Sequence, residues 1–184
     1  MNNTPKILVI DDELMIQIIL DRLIVGYGYE PIQALNEEAA RQRLMQHTPD
    51  IVLLDIMIPD CDSMALLKLI KADPKLRHTR VIMISGTPNH DLIASYIAAG
   101  ADDYVLKPFH VVLLKSRLLH ALERLKIEQS NELVQDILAE VASKLRTISK
   151  EYEKTDNNIS HDIQGCLTGV LSCAQFLEES DKNL

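Results

Sequence analysis

Five short apolar runs, rich in β-branched residues, recur in the first part of the chain, and each is followed by a stretch with helical spacing. The runs are Ile7 to Ile10, Pro31 to Ala34, Ile51 to Leu54, Val81 to Ile84 and Tyr104 to Leu106. A strand that is apolar at every position has no face to show to water, so it must be covered above and below, as in a parallel sheet. The intervening stretches are Leu14 to Tyr27, Asn36 to His47, Ser63 to Ala72, Asp91 to Ala99 and His110 to Lys126, each with apolar residues near a 3.6-residue period. Strands alternating with helices predict an α/β domain, a doubly wound five-stranded parallel sheet.

The punctuation that makes such short elements stops at Pro108. The 76 residues that follow contain no proline, and only Gly165 and Gly169 interrupt them, so a long helix is expected there. Charge divides at the same place. Residues 1–126 carry 14 basic and 16 acidic side chains, whereas 127–184 carry 5 and 11, which makes the second part the more acidic. The expected organisation is a domain over 1–126, a coiled-coil helical linker over 127–158 and a further helix over 159–184.

Several classes of function are excluded by charge and composition. A net charge of -8 has the wrong sign for tracking a phosphate backbone, and 4% aromatic residues with no tryptophan offer no platform for stacking bases. Nucleic acid is therefore not an expected partner, and residues 127–184 show no compact helix-turn-helix with a basic recognition helix. No apolar run approaches the roughly 18 to 20 residues of a membrane span, and the opening MNNTPK lacks the pattern of a signal peptide, so a cytoplasmic protein is expected. Cys61, Cys166 and Cys173 are too few for a disulfide framework or a four-ligand zinc site.

In an open parallel sheet the functional crevice lies beyond the carboxyl ends of the strands. The first run ends in Asp11-Asp12-Glu13, the third in Asp55, the fourth in Ser85-Gly86-Thr87 and the fifth in Lys107-Pro108. Carboxylates converging in a half-buried site repel one another, and a hard divalent cation together with a lysine would compensate them. Mg²⁺ suits such a site because it takes carboxylate oxygens yet keeps positions open for phosphate oxygens. One carboxylate could then attack phosphorus, with Lys107 balancing charge and Ser85 bonding a phosphoryl oxygen. Taken singly, Asp11 or Asp12 could instead cap the helix before Leu14, Asp55 could cap a turn, and Tyr104 could be no more than a half-buried strand aromatic.

The segments Lys6-Ile-Leu-Val-Ile-Asp-Asp12, Asp50-Ile-Val-Leu-Leu-Asp-Ile-Met-Ile-Pro59, Val81-Ile-Met-Ile-Ser85 and Gly100-Ala-Asp-Asp-Tyr-Val-Leu-Lys-Pro108 together resemble the receiver domain of two-component response regulators, over roughly residues 5–126. The resemblance implies a flavodoxin-like fold with Asp55 as phospho-acceptor. It implies Asp12 as a direct Mg²⁺ ligand, Asp11 as a ligand through water and the Met57 carbonyl as a further ligand. Lys107 would contact the phosphoryl group, Ser85 would be the switch hydroxyl, and Tyr104 the aromatic that moves with it. The partner implied is a cognate histidine kinase or phosphotransfer protein. Ser63 departs from the pattern, which commonly has glycine there. An acid phosphohydrolase with an aspartyl nucleophile is the rival on a similar fold, but it usually needs a second carboxylate where Met57 stands.

Beyond Lys126, Ile127, Val134, Val141 and Ile148 fall on one line at seven-residue spacing, and Leu138, Leu145, Tyr152 and Ile159 on the adjoining one. Such a seam calls for a partner, and a homodimer through residues 127–180 is expected, with Asn131 as a polar residue on the seam. After Ile159 the stripe shifts to Ile163, Leu167, Val170, Ala174 and Leu177, as in a stutter. The string from Ile159 to Leu171, ISHDIQGCLTGVL, resembles the phosphorylated helix of histidine-kinase dimerisation domains. That resemblance implies His161 as the phosphorylated residue and Asp162 as its general base. Gln164, Gly165 and Cys166 replace the usual basic, small polar and proline residues. Exchange of a phosphoryl group between His161 and a receiver aspartate is the second functional expectation. Autophosphorylation from ATP is not expected, because the sequence contains no nucleotide-binding half.

Overall fold

The computed structural model describes residues 4–153 and 163–173. Strands β1 (Lys6–Ile10), β2 (Glu30–Ala34), β3 (Ile51–Asp55), β4 (Arg80–Ser85) and β5 (Asp103–Leu106) alternate with helices α1 (Leu14–Gly26), α2 (Glu37–Gln46), α3 (Ser63–Ala72), α4 (His90–Ala98) and α5 (Val111–Glu153). All strand pairs are parallel, in the order β2-β1-β3-β4-β5. The expected doubly wound sheet and long C-terminal helix are both present. Strand order reverses between β1 and β3, which opens a crevice beyond their carboxyl ends.

Side-chain alternation sorts the strand residues between two cores. Leu8 and Ile10 of β1, Val52 and Leu54 of β3 and Val81 and Met83 of β4 pack with Ala40 and Leu44 of α2, Leu66, Leu67 and Ile70 of α3 and Tyr96 of α4. Ile7 and Val9, Ile51 and Leu53, and Ile82 and Ile84 pack on the opposite face with Leu20 and Ile24 of α1 and Leu114 and Leu118 of α5. Each fully covered Leu or Ile contributes about 1.5 to 3 kcal/mol, so it is the two-sided cover that makes a five-residue strand stable. The flanks are trimmed by side-chain caps: Asn36 Oδ1 accepts the Ala39 N–H of α2, Asp62 Oδ1 the Ala65 N–H of α3 and Asn89 Oδ1 the Leu92 N–H of α4.

Opposite the crevice, at the start of β4, Asp102 gathers Lys71 Nζ at 2.6 Å, Arg80 Nη1 at 2.8 Å and the Val81 N–H at 2.8 Å. Burial alone would raise the Asp102 pKa, but the Lys71 and Arg80 cations and the amide together hold it below the usual carboxylate value.

The chain forms two compact units, Met1–Leu125 and Lys126–Leu184. Helix α5 spans Val111–Glu153, as the lack of proline and glycine between Pro108 and Gly165 leads one to expect. In the second unit, Ala142 and Ser149 are buried, and residues 163–173 form a helix. A cavity of about 370 Å³ is lined by Arg146, Ser149 and Lys150 of α5 and by Gln164, Leu167, Thr168 and Leu171. On α5, Ala142 and Ser149 are buried and Leu145 is half-buried, whereas Ile127, Val134, Val141 and Ile148 are exposed.

Candidate functional site

The crevice at the strand reversal is acidic. Asp11 follows β1 directly and is fully buried, Asp55 closes β3 at 3% exposure, and Asp12 stands beside them in solvent. One carboxylate oxygen from each of the three lies within 4.8 Å of those of the other two. Three acids are held this closely because two parallel strands end side by side, paired as far as Ile10 with Leu54.

Lys107, the first residue past β5, answers the charge. Its Nζ donates to Asp55 Oδ2 at 2.6 Å and to Glu13 Oε1 at 3.1 Å, and lies 2.7 Å from Asp11 Oδ2. The Lys107 backbone N–H donates to the Ser85 carbonyl at 2.8 Å, and the peptide bond to Pro108 is cis. Burial by itself would lower the Lys107 pKa; the Asp11, Asp55 and Glu13 carboxylates outweigh it and hold the ammonium charged far above neutrality. Burial and the Asp55 charge push the Asp11 pKa up, against the pull of Lys107.

Asp11 divides its work between two oxygens. Oδ1 accepts the Glu13 N–H at 2.9 Å, ahead of an α1 whose N-cap residue, Glu13, makes no side-chain cap bond. Oδ2 is buried with no aligned hydrogen bond, its contact to Lys107 being an ion pair. A buried carboxylate oxygen held by an ion pair alone, beside two further carboxylates, is a donor set for a hard cation, and the residues fit Mg²⁺. Met57 presents a 72% exposed side chain while its N–H donates to Asp55 Oδ1 at 3.0 Å, so its carbonyl lies on the same turn.

Ser85 ends β4, next to the Ile84 that pairs with Asp55, and is buried. Its hydroxyl donates to the Thr87 carbonyl at 2.8 Å and accepts the Thr87 N–H at 3.2 Å, a closed local turn. Tyr104 of β5 pairs with Met83 of β4 and is half-buried against the core that contains α2, α3 and α4. His161 and Asp162 lie outside the described residues.

Three contributors were not assigned a role in the sequence reading. Glu13, in sequence only the last acid after the first run, is a third partner for Lys107. Gln17 is fully buried, and its Nε2 lies within bonding distance of the carbonyls of Val9 (3.2 Å), Asp11 (3.0 Å) and Ala34 (2.8 Å), tying the ends of β1 and β2 together beneath the acids. Its signal was legible: it is the polar member of the buried line Gln17, Leu20, Ile24. Ser63 is buried behind Asp55 and donates to the Asp55 carbonyl.

Comparison with known proteins agrees with this geometry. The pattern of the response regulator receiver domain matches residues 7–119. The chain is 31% identical over 130 residues to the phosphate regulon transcriptional regulatory protein PhoB of Rhizobium meliloti, which covers 71% of this chain and 57% of that protein. The chain thus matches little more than half the length of that relative. It is also 31% identical over 120 residues to the chemotaxis protein CheY of Bacillus subtilis, covering 65% of this chain and 95% of that one. Among solved structures, the BeF3-activated receiver domain of DrrB superposes with a TM-score of 0.60 at 27% identity, covering 66% of this chain and 99% of the other.

Proposed function

The chain belongs to the response regulator receiver family of two-component signalling, and from that membership we propose that Asp55 accepts a phosphoryl group from a histidine kinase or phosphotransfer protein. The observation that carries this reading is the convergence of Asp11, Asp12 and Asp55 on one cation-sized space with the Lys107 ammonium against Asp55. Mg²⁺ held by Asp11, Asp12 and Asp55 with the Met57 carbonyl would neutralise the oxygens of the incoming phosphoryl group.

Asp55 is the nucleophile: a carboxylate oxygen forms the new bond to phosphorus while the bond to the donor nitrogen breaks and the imidazole leaves. Lys107 begins in contact with Asp55, Asp11 and Glu13, so its charge is already placed before the phosphoryl group arrives. Ser85 would release the Thr87 carbonyl and donate instead to a phosphoryl oxygen, drawing the segment after β4 inward, and Tyr104 would move with it.

Residues 127–184 are proposed as the output, a helical linker over 127–158 and a further helix over 159–184, paired with a second copy across residues 127–180. The exposed line Ile127, Val134, Val141 and Ile148, between 41% and 61% accessible, is the support: an unbroken seven-residue repeat of apolar side chains calls for a matching stripe. No helix among the described residues is long and apolar enough to cross a membrane.

The acceptor is tested by chemistry at one residue. After incubation with a small acyl phosphate and Mg²⁺, borohydride reduction of the labelled protein should convert position 55, and no other aspartate, to homoserine. Homoserine at another position, or at none in a protein that carries label, would overturn the assignment.

A further inference from the structure

Ser63 opens α3, yet capping does not need its side chain, because Asp62 Oδ1 already accepts the Ala65 N–H at 2.9 Å. The serine is 2% exposed, and its Oγ sits 2.8 Å from the Asp55 carbonyl and 3.1 Å from the Ile56 carbonyl. These carbonyls belong to the two consecutive peptide planes that leave β3. Each plane is also held at its other end. The Ile56 N–H donates to the Ile84 carbonyl at 2.9 Å, and the Met57 N–H donates to Asp55 Oδ1 at 3.0 Å.

Rotation of the second plane would therefore break the bond from the Met57 N–H to Asp55 Oδ1 and free that carboxylate oxygen of the acceptor. A glycine at position 63 could not restrain it, since glycine has no donor beyond its backbone.

We propose that Ser63 is a positioning residue for phosphoryl acceptance, its hydroxyl fixing the two peptide planes after β3 so that the Asp55 carboxylate, held through the Met57 N–H, is preorganised for Mg²⁺. The proposal rests on the reading of Asp55 as acceptor. A buried hydroxyl serving two carbonyls is worth about one hydrogen bond, which sets the scale of the effect.

The full chain carrying Ser63→Ala is titrated with Mg²⁺ by calorimetry, without a phospho-donor, and amide exchange at Ile56 and Met57 is followed in metal-free protein. Mg²⁺ affinity should fall about five- to tenfold, the scale of one such bond, and both amides should exchange faster, while global thermal unfolding stays cooperative. Labelling from acetyl phosphate should need proportionally more Mg²⁺ but approach the wild-type rate at saturation. Ser63→Thr, which keeps the hydroxyl, should bind Mg²⁺ within about twofold of wild type. A folded Ser63→Ala protein with unchanged affinity, or a Ser63→Thr protein as weak as the alanine variant, overturns the proposal. Should Ser63→Ala not fold, Ser63→Gly gives the same comparison under the same two outcomes. Failure of the wild-type protein to bind Mg²⁺ at all would instead overturn the acceptor reading on which the proposal stands.

Discussion

At the scale of single residues, the crevice is a balance of charge in which one ammonium serves three acids. Replacing Lys107 by Met leaves Asp11 and Asp55 buried and facing each other, and the metal-free protein should lose about 1 to 3 kcal/mol of stability. Because Mg²⁺ can take over part of the compensation, saturating metal should raise the unfolding temperature of Lys107→Met by more than it raises that of the wild type; equal increments would show that Lys107 does not neutralise these acids. Gln17 offers a second residue-scale check. Gln17→Leu keeps the volume but removes the buried amide that serves the Val9, Asp11 and Ala34 carbonyls, of which Ala34 keeps the Asp11 N–H, and should cost about 1 to 3 kcal/mol in denaturant unfolding. Strand-end reasoning brought Asp11, Asp12, Asp55, Ser85 and Lys107 into view, because parallel strands deliver whatever follows them to one edge. It left out Gln17 and Ser63, which act through backbone carbonyls. A sequence displays side-chain chemistry, not which backbone carbonyls a side chain will meet.

At the scale of elements, the apolar runs announced all five strands; two-sided burial explains β1, β3 and β4, while β2 and β5, at the sheet edges, are mostly half-buried or exposed. Their ends were less legible: Arg80, Ser85 and Asp55 belong to strands although they are polar, because ladder pairing with neighbours extends past the apolar stretch. Leu118 shows how the long helix is anchored, fully buried against Ile24 and Val9 in the core under α1. Leu118→Ala should cost about 2 to 5 kcal/mol by leaving a cavity, measured by chemical denaturation of the full chain. The distal half of α5 was read as a seam with two apolar lines. In the structure the lines part company, since Leu138 and Leu145 are half-buried while Ile127, Val134, Val141 and Ile148 are exposed. If the exposed line pairs two copies, the double substitution Val134→Asp and Val141→Asp should convert a dimer to a monomer in sedimentation velocity with little change in helix content. A wild-type protein that is monomeric at every concentration would remove the pairing.

At the scale of the whole molecule, the sheet separates two tasks: acids and Lys107 gather at the carboxyl ends of the strands, and the Asp102 cluster fastens the opposite end. The depressed pKa of Asp102 links that cluster to pH. Its stabilisation is present in full above the ordinary carboxylate range near 4 and is lost as the pH falls through the lower folded value. Asp102→Asn should therefore lower the unfolding temperature at neutral pH and narrow its difference from wild type as the pH drops below that range; a constant difference would detach Asp102 from the acid limb. The proposed phosphoryl acceptance belongs to the other end of the sheet, where the acids and Lys107 gather. The most direct measurement is the rate at which radiolabelled acetyl phosphate modifies the intact protein, with Mg²⁺ and with EDTA, compared between wild type and Asp55→Asn. Labelling should occur only in the wild type and only with the metal. Undiminished labelling of Asp55→Asn, or a wild-type rate unchanged by EDTA, would contradict phosphoryl acceptance at this site.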